Sequence, residues 1–154
     1  MNSNNGGADT KMALMDTIKV KARMHKKHIL LPEGSEERTV QAVALIKAEG
    51  IAEVTLLGNA DEILATAEKF NVSLDGVSLV DPEKDPDFAA YVAEYYEMRK
   101  DKGMTPEGAE KMMKDTKFFA AMMIKKGRVD CMVAGAISTT SDTLRPGLQI
   151  IKMA

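Results

Sequence analysis

Tryptophan is absent from this 154-residue sequence, cysteine occurs once, histidine twice, and aromatic residues make up only 5%. So low an aromatic share, beside abundant Ala, Met, Leu, Ile and Val, suits helices packed on a sheet and argues against an aromatic-rich β-sandwich. One cysteine, Cys131, excludes an intramolecular disulfide framework and by itself makes no thiolate metal site, which fits a reducing compartment. The two histidines, His25 and His28, flank a single apolar segment without metal-ligand spacing, so no metal is expected. No run approaches the roughly 20 apolar residues needed to cross a bilayer, and the leader "MNSNNGGADT" lacks the basic start and apolar centre of a secretion signal. The sequence therefore reads as cytoplasmic. Neither sign of charge dominates: 21 Lys and Arg stand against 23 Asp and Glu, interspersed, for a net charge of −2. No basic face tracks a nucleic-acid backbone, and neither nucleic acid nor membrane is expected as a partner.

What is present is alternation. The length suits one domain with its own core. Residues 1–10 read as a disordered leader and 11–154 as most of an α/β domain. Apolar spacing predicts an amphipathic helix from Lys11 to about Met24, then a short buried strand, "HILLPEG", stopped by Pro32 and Gly34. "SEERTVQAVALIKAEG" follows as a helix opened near Ser35 and closed by Gly50. "AEVTLLGN" reads as a strand, "ADEILATAEKF" as a helix and "GVSLVDP" as a strand. A helix over "DFAAYVAEYYEMRKDKG" ends at Gly103. Another begins at "TPEGAE", capped by Thr105 with Pro106 in its first turn, and carries Met112, Met113, Thr116, Phe119, Ala120, Met123 and Ile124 along one face as core. "RVDCMVAGA" has the unbroken apolar character of a buried central strand, with Cys131 as a small core residue. Connections of this length suit parallel crossovers, so the expected fold is α/β, a parallel sheet with helices on both faces. The last segment, from about Thr143 to Ala154, is helix-compatible and exposes Leu148, Ile150, Ile151 and Met153. It reads as the front part of a longer protein.

Behind the fourth strand stands "AGAISTTSDTLRPG", which gathers five hydroxyl side chains and one arginine. In open α/β sheets ligands bind beyond the carboxyl ends of the strands, where loops lead into helices. Ser138, Thr139, Thr140, Ser141 and Thr143 offer donors there, and Arg145 can grip two oxygens of a phosphate at once. The alternative leaves the hydroxyls as helix caps and pairs Arg145 with a nearby acid. Pro146 is expected within the first helical turn, and Asp142 is expected to orient Arg145. Arg38, just after the first strand, and Arg99, late in the "YYEMRKDKG" helix, each read alone as solvated charges.

In their order and separation, "LPEGSEERT", "YYEMRKDKG", "RVDCMVAGA" and "STTSDTLRPGLQIIK" resemble the phosphate acetyltransferases (phosphotransacetylases) from about Lys27 onward, "SDTLRP" being the most specific element. The "LPEG" element is shared with the wider phosphate acetyl/butyryl transferase group. The resemblance implies reversible transfer of an acetyl group between coenzyme A and phosphate, giving acetyl phosphate, with no metal or prosthetic group and with coenzyme A as substrate. It implies a homodimer of two-domain subunits, with a fold like isocitrate and isopropylmalate dehydrogenases and the active site in the interdomain cleft. This chain would form most of the first domain. Arg145 matches the arginine of the phosphate and acyl phosphate site and is the candidate catalytic residue. Ser141 and Thr143 match hydroxyls lining that site, with Ser138 and Thr140 beside them. Arg99 matches an arginine that holds coenzyme A. A later Ser-Arg pair and an aspartate that assists thiol deprotonation have no counterpart here. Phosphate butyryltransferase, and a non-catalytic acetyl-CoA-sensing module of the same lineage, are the alternative readings.

Overall fold

In a computed structural model, residues 6–151 are described, with side chains from residue 13 onward. Four parallel strands make one sheet: β1 (Lys27–Leu31), β2 (Ala52–Leu57), β3 (Ser78–Val80) and β4 (Cys131–Met132), in the order β3-β2-β1-β4. Ile29 pairs with Val54 on one side and with Cys131 on the other, and Leu56 pairs with Leu79. Parallel neighbours need a crossover, and among the described residues seven α-helices accompany the sheet. These are α1 (Gly6–Met24), α2 (Glu37–Glu49), α3 (Ala60–Lys69), α4 (Phe88–Arg99), α5 (Pro106–Met113), α6 (Thr116–Lys125) and α7 (Thr140–Pro146).

Side chains alternate across a strand, so the sheet sends neighbouring residues into two cores. Ile29 and Leu31 of β1 join Val54 and Leu56 of β2 under α2 and α3, where Val43 and Ile63 are fully buried. Leu30 and Leu57 point the other way, into a larger core made with Tyr91 and Tyr95 of α4, Met113 of α5 and most of α6. Helices thus cover both faces. Full burial of a side chain as large as Phe119 contributes about 1.5–3 kcal/mol from water removal alone.

Several local signals act as expected. Gly50 ends α2 in the left-handed conformation, Thr105 caps α5 by accepting from the Gly108 amide, and Pro106 opens that helix. Other segments differ from expectation. The single helix expected after Thr105 is two. The Asp115 carboxylate accepts the Lys117 amide at 2.8 Å and starts α6 afresh, which rotates the chain so that Phe118 through Met123 are all buried. An N-cap aspartate in mid-run outweighs the continuous helical spacing. Among the described residues the fourth strand is short and lies at the edge of the sheet, where it pairs two residues with β1, and Cys131 is exposed rather than in the core. The amphipathic first helix forms, yet Leu14, Met15, Ile18 and Val20 are exposed. Its ties to the rest run through Lys19 and Arg23 to Glu49.

α7 begins at Thr140, so Pro146 occupies its last turn rather than its first, and Arg145 is helical. Proline carries no N–H to donate to the preceding turn, and the chain widens there into a π-helical turn over Gly147–Ile151. Of the apolar residues expected to be exposed in this segment, Leu148 and Ile151 are exposed and Ile150 is buried in the larger core. Met153 lies outside the described residues. Among the described residues no helix is long and apolar enough to cross a membrane, and no cluster of His, Cys, Asp and Glu is arranged for a metal ion.

Candidate functional site

The carboxyl end of β1 runs directly into Pro32, Glu33 and Gly34. The Gly34 amide donates to the Leu57 carbonyl at 3.0 Å, and a Cβ at this position would lie 2.5 Å from that oxygen. Only glycine allows so close an approach. It presses the loop onto the end of β2 and leaves the Glu33 side chain, 9% exposed, pointing toward the segment that follows β4.

That segment closes around the Glu33 carboxylate. One oxygen, Oε2, accepts the amides of Gly135 at 3.0 Å and Ala136 at 2.7 Å; the other, Oε1, accepts those of Ile137 at 3.1 Å and Ser138 at 2.8 Å. Gly135 adopts φ +113°, which a side chain would resist, and this lets the four successive N–H groups converge. Burial pushes the Glu33 pKa up, but the Ser138 side chain and the amides of Ala136, Ile137 and Ser138 override it, to about 2. A second tether comes from α2: Arg38 donates to the Ala136 carbonyl and, at 2.9 Å, to Glu36, whose other carboxylate oxygen caps the helix at the Thr39 amide. Arg38 thus remains a largely solvated charge, its side chain 70% exposed, while it also engages the loop.

Thr139 then starts α7. Its hydroxyl oxygen accepts the Asp142 amide at 3.2 Å and its proton goes to the Asp142 carboxylate at 2.7 Å, while the Thr143 hydroxyl donates to the Thr139 carbonyl at 3.0 Å. Asp142 thus belongs to the cap; the orienting of Arg145 expected of it is not what its carboxylate does. A capping residue draws the nearest acceptor to itself because the first turn of a helix has unpaired amides.

The candidate residues fall on two adjoining faces of α7. Ser141 and Arg145, one turn apart, line a shallow depression with Leu144, Leu148 and Gln149. Ser138, Thr140 and Thr143 line a neighbouring one with Ala134, Gly135 and Leu144. Arg99, the last residue of α4, does not line either depression. Its Nε is buried and has no protein partner among the described residues. Between α4 and the π-helical turn, the buried Tyr95 donates its hydroxyl to Gln149 at 2.7 Å. Burial raises the Tyr95 pKa, opposed by the positive charges of Arg99 and then Arg145. Two arginines 46 residues apart in sequence therefore both act on one buried tyrosine.

Sequence reasoning missed Glu33, Tyr95 and Gln149. Glu33 sits in a run of charged residues, where nothing distinguishes one buried carboxylate from its solvated neighbours. His28 lies inside the sheet, its Nε2 2.7 Å from the Thr55 hydroxyl. The pKa of the Cys131 thiol is pushed up by partial burial and by Asp130, against the charge of Lys27.

Known proteins resemble this chain in sequence and fold. A family profile described as phosphate acetyl/butaryl transferase matches residues 13–154. The chain is 46% identical over 143 residues to the phosphate acetyltransferase of Thermoanaerobacterium thermosaccharolyticum, covering 93% of this chain and 43% of that protein. It is 45% identical over 143 residues to that of Clostridium acetobutylicum, again covering 93% and 43%. Among solved structures, a phosphotransacetylase from Streptococcus pyogenes superposes with a TM-score of 0.83 at 36% identity, covering 90% of this chain and 42% of that one. The EutD phosphotransacetylase from Staphylococcus aureus superposes with a TM-score of 0.81 at 31% identity, covering 93% and 43%. The chain thus spans less than half the length of these relatives. Over that span the α/β fold, the exit from β1 and the turn behind β4 occur together in one sequence, and the chain belongs to the phosphate acetyl/butyryl transferase family.

Proposed function

We propose that this chain supplies the phosphate and acyl phosphate half-site of a phosphate acetyltransferase, which moves an acetyl group reversibly between acetyl-CoA and phosphate. The observation that carries the reading is the pairing of Ser141 and Arg145 on one face of α7, with Arg99 of α4 near enough that its charge and that of Arg145 both bear on the buried Tyr95. A dianion needs a fixed positive fork and hydroxyl donors, and a long nucleotide-bearing thiol needs a second cation set apart from the first. The names of the two curated relatives favour acetyl over butyryl as the group transferred.

The chemistry suits these residues. The thiolate sulfur of coenzyme A attacks the carbonyl carbon of acetyl phosphate; a C–S bond forms, the C–O bond to phosphorus breaks, and phosphate departs with the electron pair. Negative charge grows first on the carbonyl oxygen and then on the leaving oxygen. Arg145, one helical turn from Ser141, is the group proposed to stabilise that charge more than it stabilises free substrate. Thr140, Thr143 and Ser138 shape the adjoining depression, and Arg99 holds coenzyme A through a phosphate. The group that takes the thiol proton comes from the portion of the relatives this chain does not span. Water-soluble substrates place the reaction in the cytoplasm, and a homodimer is the working assembly.

The test joins residues 1–154 to the remaining portion of the Clostridium acetobutylicum relative and follows thioester absorbance with acetyl phosphate and coenzyme A. Residues 1–154 alone are expected to be inactive, and the joined protein active. Arg145→Ala is expected to lower kcat by about a hundredfold to a thousandfold, the usual loss on removing one preorganised donor. Near-normal turnover at saturating acetyl phosphate would remove Arg145 from this role.

A further inference from the structure

We propose that Glu33 is the positioning residue of the phosphate half-site: its carboxylate gathers the four amides of Gly135–Ser138 and so fixes the loop that leads into α7, the helix that carries Ser141 and Arg145. The inference rests on the functional reading above.

Apart from Arg38 at the Ala136 carbonyl, the loop between β4 and α7 has little else to shape it. The Val133 amide still donates to the Leu30 carbonyl in the sheet, and the Thr143 amide already donates within α7, to Thr139. Between these points, the amides of four consecutive residues all go to one side chain. The carboxylate is itself anchored, because Gly34 seats the exit of β1 against Leu57 with no room for a side chain. Sheet, Glu33, loop and α7 therefore form one continuous mechanical path to Arg145. α4 and its Arg99 hang chiefly on α5 and α6 in the larger core, and meet the segment after α7 through the Tyr95–Gln149 hydrogen bond rather than through Glu33.

A carboxylate is the side chain this arrangement demands. Four N–H donors converge on it, and each of its two oxygens takes two of them. Glutamine keeps one such oxygen but turns an NH₂ group toward two donors, so one half of the loop loses its acceptors and meets a like dipole. The four amides form an anion receptor occupied by the protein's own side chain. They orient the substrate site without touching the substrate.

The experiment uses the joined protein described above, with Glu33→Gln and Glu33→Ala, and measures kcat and KM separately for acetyl phosphate and for coenzyme A. Folding is checked by circular dichroism and the thermal transition. Glu33→Gln is expected to raise KM for acetyl phosphate by about tenfold or more, the effect of leaving buried donors unpaired, with KM for coenzyme A changed less than about twofold. Formate is expected to restore part of the loss in Glu33→Ala by refilling the receptor, and to have no effect on the unsubstituted protein. A folded Glu33→Gln protein whose two KM values move in equal proportion, or not at all, overturns the inference and leaves the functional reading intact. If Glu33→Ala fails to fold, Glu33→Gln decides alone, since it keeps the shape and one acceptor oxygen. Absence of acetyl transfer by the unsubstituted joined protein overturns the functional reading, and the inference with it.

Discussion

Removing Arg128 tests what holds α4, and with it Arg99, against the rest of the domain. The Arg128 guanidinium straddles the Asp85 carboxylate through two bonds of 3.0 and 2.9 Å. It also reaches Asp87 at 3.1 Å and the Tyr91 hydroxyl at 3.3 Å. The Asp85 side chain is 6% exposed. Arg128→Ala leaves that carboxylate buried beside one remaining backbone donor, the Asp87 amide. Stripping one partner from a buried pair costs about 3–5 kcal/mol. The Arg128 side chain is 31% exposed, so water enters behind the truncation, and the expected loss falls to about 2–3 kcal/mol. For a domain of this size that lowers Tm by roughly 5–10 °C.

The pH dependence gives a sharper check. Burial raises the Asp85 pKa, Arg128 outweighs it, and the net direction is down, so the folded value lies below the unfolded one. The pair therefore contributes fully above the ordinary aspartate range, and its contribution fades as pH falls through the folded value. Without Arg128, burial goes largely unopposed and Asp85 takes up its proton at higher pH, which relieves the buried charge. Urea unfolding of both proteins should show the full difference near pH 7 and a clearly smaller one near about pH 4. A double-mutant cycle with Asp85→Asn should return a coupling of at least about 1 kcal/mol. A difference under about 0.5 kcal/mol at neutral pH, or one that does not change on acidification, refutes the reasoning.

Glu33 gives a second pH signature: its pKa is lowered from 4.5 to about 2, so its contribution, up to about 3 kcal/mol, is complete above the ordinary glutamate range and is lost as pH falls from about 5 toward 2. Unfolding measured across that window should show a loss of stability that Glu33→Gln no longer displays. Gly34→Ala places a methyl group 2.5 Å from the Leu57 carbonyl oxygen and is expected to destabilise by about 1–3 kcal/mol, read by thermal unfolding. A neutral result would mean that the β1 exit yields more easily than its geometry implies.

Much of the fold was legible because it depends on short-range signals. Glycine at the end of α2, Thr105 and Pro106 at the start of α5, and the apolar runs of β1 and β2 each act through their own few residues. The turn behind β4 was legible too, through its density of hydroxyl groups. The failures share one cause. Whether β4 is central or at an edge depends on what lies beside it, and its composition is the same in either case. Asp115 breaks a helix whose apolar spacing runs straight through it, because a single cap can outweigh spacing when the core rewards the new direction. Asp142 was assigned to Arg145 on proximity in sequence, whereas the first helical turn claimed it. Glu33 was invisible for the plainest reason: its partners are 102 to 105 residues away.

That separation bears on how the domain assembles. Closing a contact across so much chain costs more entropy than closing a local turn, and it becomes affordable only after β1, β2 and β4 already lie side by side. Helices such as α3 and α6 can form early from neighbouring residues, while the clasp between Glu33 and the loop waits for the sheet. The part of the molecule that bears Arg145 is consequently among the last to be set during folding. Under mild denaturant it is among the first to loosen, ahead of the core beneath it.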